Sequence, residues 1–188
     1  MQMPISSLLG SLYCLSEIGL QIFRRAKAGA ARADDRGSLR VLWLVITASM
    51  ALAFIFEVRL PQARWPWLAW VNVTGVLVTL VGLAIRWYSI IFLGRFFTVN
   101  VAIAKDHELI DTGPYRLARH PSYTGALLAF LGLAICMQNW ASLAVLMGGT
   151  TVAFLYRIRI EESALTGAFG ERYRLYMQHT ARLIPGVY

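Results

Sequence analysis

The feature that most limits what this chain can fold into is a series of uncharged apolar blocks. The plainest is Val41 to Phe56, VLWLVITASMALAFIF. A block of this kind offers no polar face to water. Of the 188 residues, 57% are hydrophobic and only 15% charged, where a soluble domain carries about 25% charged. A soluble fold of this size has no interior large enough to hide such blocks. The sequence therefore predicts an all-α integral membrane protein, with residues 1–188 forming a single domain.

Five spans are expected. The first covers roughly Pro4 to Phe23 and is weakened by its serines and Glu17. The second is Val41 to Phe56, and the third runs from Trp67 to Ile85 with continuation as helix toward Leu93. The fourth, Thr124 to Met137, and the fifth, Trp140 to Tyr156, are separated only by Gln138 and Asn139, which implies an antiparallel helical hairpin. Residues 124–137 as helix reach only about 21 Å, short of a hydrocarbon core of about 30 Å. The fourth helix is therefore expected to start near Pro121 or to dip part-way. Residues 1–93 would supply three N-terminal spans, and 94–188 a cofactor-binding segment with the hairpin and a C-terminal tail.

Basic residues are distributed unevenly. Six lie between Arg24 and Arg40, five between Arg86 and Arg119, and five after Tyr156. Only Arg59 and Arg64 separate spans two and three, and the hairpin tip has none. This bias predicts an outside N-terminus and a cytoplasmic C-terminus, with every polar stretch of interest on the cytoplasmic side. The formal charge of +8 then reflects membrane orientation and anionic headgroups rather than nucleic acid. Cys14 and Cys136 both sit in apolar stretches, so neither a disulfide framework nor a zinc site is expected. The first basic residue is Arg24, too late for the basic start of a cleavable signal peptide. RRAKAGAARADDRGSLR reads as an exposed connector.

Three polar stretches carry the candidate chemistry. In TVNVAIAKDHELIDTGPYR, Thr98 to Arg116, Gly113-Pro114 marks a turn and the preceding residues read as extended or irregular chain. In ARHPSY, proline favours a helix's first turn and keeps its predecessor out of helix, so His120 should stand at the start of helix four. Free backbone N–H groups there attract an anion, with Arg119 and His120 as added donors; helix capping by His120 and snorkelling by Arg119 are the plainer alternatives. Beyond Tyr156, Arg157 and Glu161 are four apart and share a helical face, while Glu161 and Glu162 point about 100° apart. No strand–turn–helix carries a glycine-rich dinucleotide fingerprint. His107, His120 and His179 have no metal-ligand spacing, so no metal is expected. An enzyme acting on a lipophilic substrate and a small membrane interaction protein both fit these residues.

The ordered pair GPYRLARHPSYTG and EESALTGAFGERYRLY resembles the isoprenylcysteine carboxyl methyltransferase family, which sits in a wider group of membrane methyltransferases with the phospholipid N-methyltransferases. The resemblance covers roughly Val99 to Pro185. It implies S-adenosylmethionine as methyl donor, held in a cytoplasmic pocket that is not a Rossmann fold. By motif position the donor site would comprise Asn100, His107, Glu108, Leu109, Ile110, Tyr115, His120, Pro121, Ser122, Tyr123 and Glu161, with Arg157 as the catalytic, substrate-facing arginine. The partner implied is a lipophilic or lipidated acceptor from the bilayer, foremost an isoprenylcysteine-like carboxylate. An aminophospholipid headgroup, a small thiol and an adaptor without catalysis are the alternatives.

Overall fold

The computed structural model describes residues 4–23, 31–33, 37–66, 68–97, 102–104 and 108–186. Six helices carry the fold: α1 (Ile5–Phe23), α2 (Ser38–Arg59), α3 (Ala69–Leu93), α4 (Pro121–Met137), α5 (Trp140–Phe169) and α6 (Glu171–His179). Three of them, α2, α3 and α5, are long and apolar enough to cross a membrane, whereas α1 and α4 are shorter apolar helices. Large apolar side chains such as Leu44, Val58, Leu77, Ile91 and Val152 point outward. On long helices these make a surface suited to lipid and not to water.

Two tight pairs, α3 with α4 and α2 with α5, meet along the α4–α5 hairpin, and α1 packs on α3 and α4. The α3–α4 contact is close because glycines face backbone across it. A Cβ on Gly82 would strike the Ala129 backbone, and one on Gly125 would strike Arg86. Small residues at such crossings replace the hydrophobic drive that lipid removes with close van der Waals packing. The remaining core is Phe130, Leu133, Leu146 and Phe154 with Tyr13 of α1.

Helix ends follow their local chemistry. Pro121 opens α4, as expected, at 17 residues or about 26 Å. Gln138 ends α4 in the left-handed region at φ 51°. Asn139 caps α5 through Oδ1, which accepts from the N–H groups of Ala141 and Ser142, and its Nδ2 donates to the Leu60 carbonyl at 2.9 Å. That one buried amide locks the hairpin tip to the end of α2. α5 does not stop at Tyr156; its 30 residues reach about 45 Å, well past the hydrocarbon thickness. Gly170, at φ 55°, makes the break into α6.

One element departs from the all-helical expectation. β1 (Ala31–Ala33) and β2 (Ala102–Ala104) form an antiparallel ladder in which Arg32 faces Ile103. Part of the first loop, expected as an exposed connector, is thus paired with residues 102–104. Strand pairing gives the backbone groups of these two segments partners within the protein.

Candidate active site

The ends of five helices converge at one pole of the bundle. Ser38 at the start of α2 accepts a hydrogen bond from Arg157 Nη1 of α5. Arg86 near the end of α3 binds both oxygens of Glu17 on α1 at 2.6 and 2.7 Å, and its Nη1 donates to the Ser122 carbonyl of α4 at 3.2 Å. Between these helices lies a cavity of about 130 Å³, roughly ten times the space one water needs.

Its wall is apolar toward α2, with Leu39, Leu42, Trp43 and Ile46, and aromatic toward the α3 end, with Phe96 and Phe97. The polar wall comes from α4, α5 and α6. Arg157 is 2% exposed, and its guanidinium acts on the Tyr123 phenol, whose hydroxyl donates to Glu161 Oε2 at 2.9 Å. Arg157, Tyr123 and Glu161 therefore form one lining unit. Glu161 keeps 32% of its side chain exposed.

The neighbouring carboxylate is placed differently. Glu162 is 9% exposed, receives Arg119 Nε and Arg182 Nη2 at 2.9 Å each, and lies 3.3 Å from His120 Nε2. Arg119 also donates through Nη1 to the carbonyls of Met177 and Thr180. The backbone N–H groups of Arg119 and His120 donate to the carbonyls of Ala181 and Arg182, and the Thr124 hydroxyl donates to the Leu183 carbonyl. The C-terminal segment is thereby fastened across the start of α4.

This changes the expected roles of Arg119 and His120. His120 stands just before Pro121 but makes no side-chain cap; its ring stacks on Tyr123 at 5.6 Å and bridges toward both glutamates. Arg119 neither snorkels nor offers its full set of donors to an anion, because Glu162 and two carbonyls engage it. Tail carbonyls take up the backbone N–H groups of Arg119 and His120, which precede the first turn of α4.

Tyr115 is buried in a short 3-10 turn, Gly113–Arg116, and donates to the Ser89 carbonyl at 3.2 Å. Burial first, and then the charge of Glu161, push its phenol well above the ordinary range, which keeps it a donor. Tyr176 of α6 donates to the Tyr115 carbonyl at 2.5 Å. Glu108, Leu109, Ile110, Tyr115, His120, Ser122, Tyr123, Arg157 and Glu161 all border the cavity. Pro121 shapes the start of α4 without lining it, and Asn100 and His107 lie outside the described residues. The sequence reading missed Glu17, Arg86, Tyr173 and Tyr176, which also line the cavity. A signal for the first two existed: charge inside apolar helices calls for a buried partner. Among the described residues no group of three potential metal ligands forms a cation site.

Helices long and apolar enough to cross a membrane, with a half-apolar, half-ionic chamber at one end, define a class of membrane-embedded proteins with an internal site. The family model for phospholipid methyltransferases matches residues 70–172. Protein-S-isoprenylcysteine O-methyltransferase A of Arabidopsis thaliana is 32% identical over 154 residues, 77% of each chain. The cobalt-zinc-cadmium resistance protein CzcN of Cupriavidus metallidurans is 29% identical over 163 residues, 84% of this chain and 70% of that one. Among solved structures, the eukaryotic intramembrane Ras methyltransferase ICMT superposes with a TM-score of 0.61 at 28% identity. That match covers 77% of this chain and about half, 52%, of the ICMT chain. The chain belongs to the phospholipid methyltransferase family and, within it, sides with the isoprenylcysteine O-methyltransferases. It is an integral membrane methyltransferase.

Proposed function

We propose that this protein transfers a methyl group from S-adenosylmethionine to the carboxylate of a lipophilic, isoprenylcysteine-like acceptor that enters from the bilayer. The observation that carries this reading is the position of Arg157. Its buried guanidinium borders a cavity whose α2 wall is apolar, one helical turn before a partly exposed carboxylate on the same helix.

The donor set fits the methyl donor. Glu161 suits an ammonium or ribose hydroxyls, Tyr115 and Tyr123 offer faces for an adenine ring, and Leu109 and Ile110 supply apolar contact. Asn100, His107, Glu108, His120, Pro121 and Ser122 complete the proposed site by motif position. When bound, S-adenosylmethionine supplies an electrophilic methyl group. The protein's share is alignment and dryness: Arg157 holds both oxygens of the acceptor carboxylate through its planar fork, and Trp43, Ile46 and Phe154 exclude water. A carboxylate is already ionised, so no general base is required.

All five apolar helices cross the bilayer in this reading, with the chamber on the cytoplasmic side. Support comes from charge: six basic residues lie in 24–40, five in 86–119 and five after Tyr156, against only Arg59 and Arg64 between α2 and α3. A reporter fused at residue 188 should report a cytoplasmic location.

Turnover on a prenylcysteine analogue tests the acceptor. Arg157→Ala should lower it at least about a hundredfold, twice the 1.36 kcal/mol of a tenfold change, with donor affinity nearly intact. Arg157→Lys should recover only part, because a point charge does not impose the fork. Equal behaviour of the two variants would favour an amine acceptor such as an aminophospholipid headgroup. Parallel losses of donor affinity and turnover would move Arg157 into the donor site.

A further inference from the structure

Tyr173 is the one cavity-lining residue that is both fully buried and chemically unspent among the described residues. It is 1% exposed on α6, borders the chamber, and its hydroxyl has no hydrogen-bond partner. The other described side chain with buried unpartnered polar atoms, Gln138, sits at the far pole in the hairpin turn and does not line the cavity. A buried hydroxyl without a partner is costly, and phenylalanine would fill the same volume without that cost. The hydroxyl therefore implies a partner that arrives with the ligand.

Its neighbours say what kind. Tyr173 feels the charges of Glu162, Glu161 and Arg119, and its ring packs beside Tyr176 at 5.8 Å. Burial first and then the two glutamates push its phenol far above the ordinary range, so it stays protonated and donates. A phenol that stays protonated is a donor and suits an anionic oxygen as its acceptor, and the carboxylate of Glu161 nearby suits a cationic nitrogen. The two together match the zwitterionic end of an α-amino acid.

We propose that Tyr173 Oη donates to the carboxylate at the amino-acid end of the methyl donor while Glu161 receives its ammonium. This deepens the reading above and rests on it. The test uses full-length protein in nanodiscs, the wild type against Tyr173→Phe, with two calorimetric probes: S-adenosylhomocysteine and 5′-methylthioadenosine, which lacks the amino-acid end. The expected result is about tenfold weaker S-adenosylhomocysteine binding in the variant, unchanged 5′-methylthioadenosine binding, and an unliganded melting temperature equal to or above wild type. Affinity for S-adenosylhomocysteine within twofold of wild type would overturn the assignment. So would an equal loss for both probes, a lowered unliganded melting temperature, or a defect confined to the prenylcysteine analogue. Absence of S-adenosylhomocysteine binding by the wild type would remove the methyl-donor reading itself, and Tyr173's role with it.

Discussion

Glu161 and Glu162 are adjacent on α5 yet belong to opposite sides of the molecule's chemistry. Glu162 is enclosed: Arg119, Arg182 and His120 surround it, and through Arg119 and the carbonyls of the C-terminal segment it fixes α4, α5 and α6 to one another. Glu161 opens onto the cavity and holds the Tyr123 phenol. One residue of helix turns the side chain by about 100°, enough to separate a carboxylate enclosed by cations from one that opens onto the cavity. Burial and partner count, not residue type, distinguish the two.

The sharpest way to break this comparison is to neutralise the enclosed member. Glu162→Gln keeps the shape but leaves Arg119 and Arg182 without a counter-charge. Breaking a buried pair costs about 3–5 kcal/mol, so the melting temperature should fall by roughly 6–20 °C for a chain of this length. Thermal unfolding in detergent measures it, and a shift under 2 °C would deny Glu162 its structural role. A smaller effect is expected from Arg182→Ala. That side chain is 28% exposed and Arg119 remains, so about 1 kcal/mol, or roughly 2–4 °C, should be lost.

The same contrast explains what the sequence disclosed. Apolar blocks and the Gln138-Asn139 hairpin were legible because period and length determine helices in lipid, and Pro121 marked the start of α4 through its own ring geometry. The partners of buried charges were not legible. Glu17 read as a flaw in the first span, although it is half of an ion pair with Arg86, 69 residues away. That Glu162 and tail carbonyls engage Arg119 was not legible either, because nothing local reveals that residues 180–183 return to the start of α4. Long-range pairing is written in three dimensions, while spacing reports only on one helix at a time. The ladder between β1 and β2 escaped for the same reason.

The central claim, that Glu161 serves the ligand and Glu162 the fold, is tested most directly by S-adenosylhomocysteine calorimetry on Glu161→Gln, with unliganded melting recorded on the same sample. Glutamine still accepts from the Tyr123 phenol but carries no charge for an ammonium. A hydrogen bond to a charged group contributes about 1.5–3 kcal/mol, so affinity should drop at least about tenfold while the melting temperature stays within about 2 °C of wild type. Unchanged affinity together with a lowered melting temperature would contradict the claim and make Glu161 a second structural carboxylate.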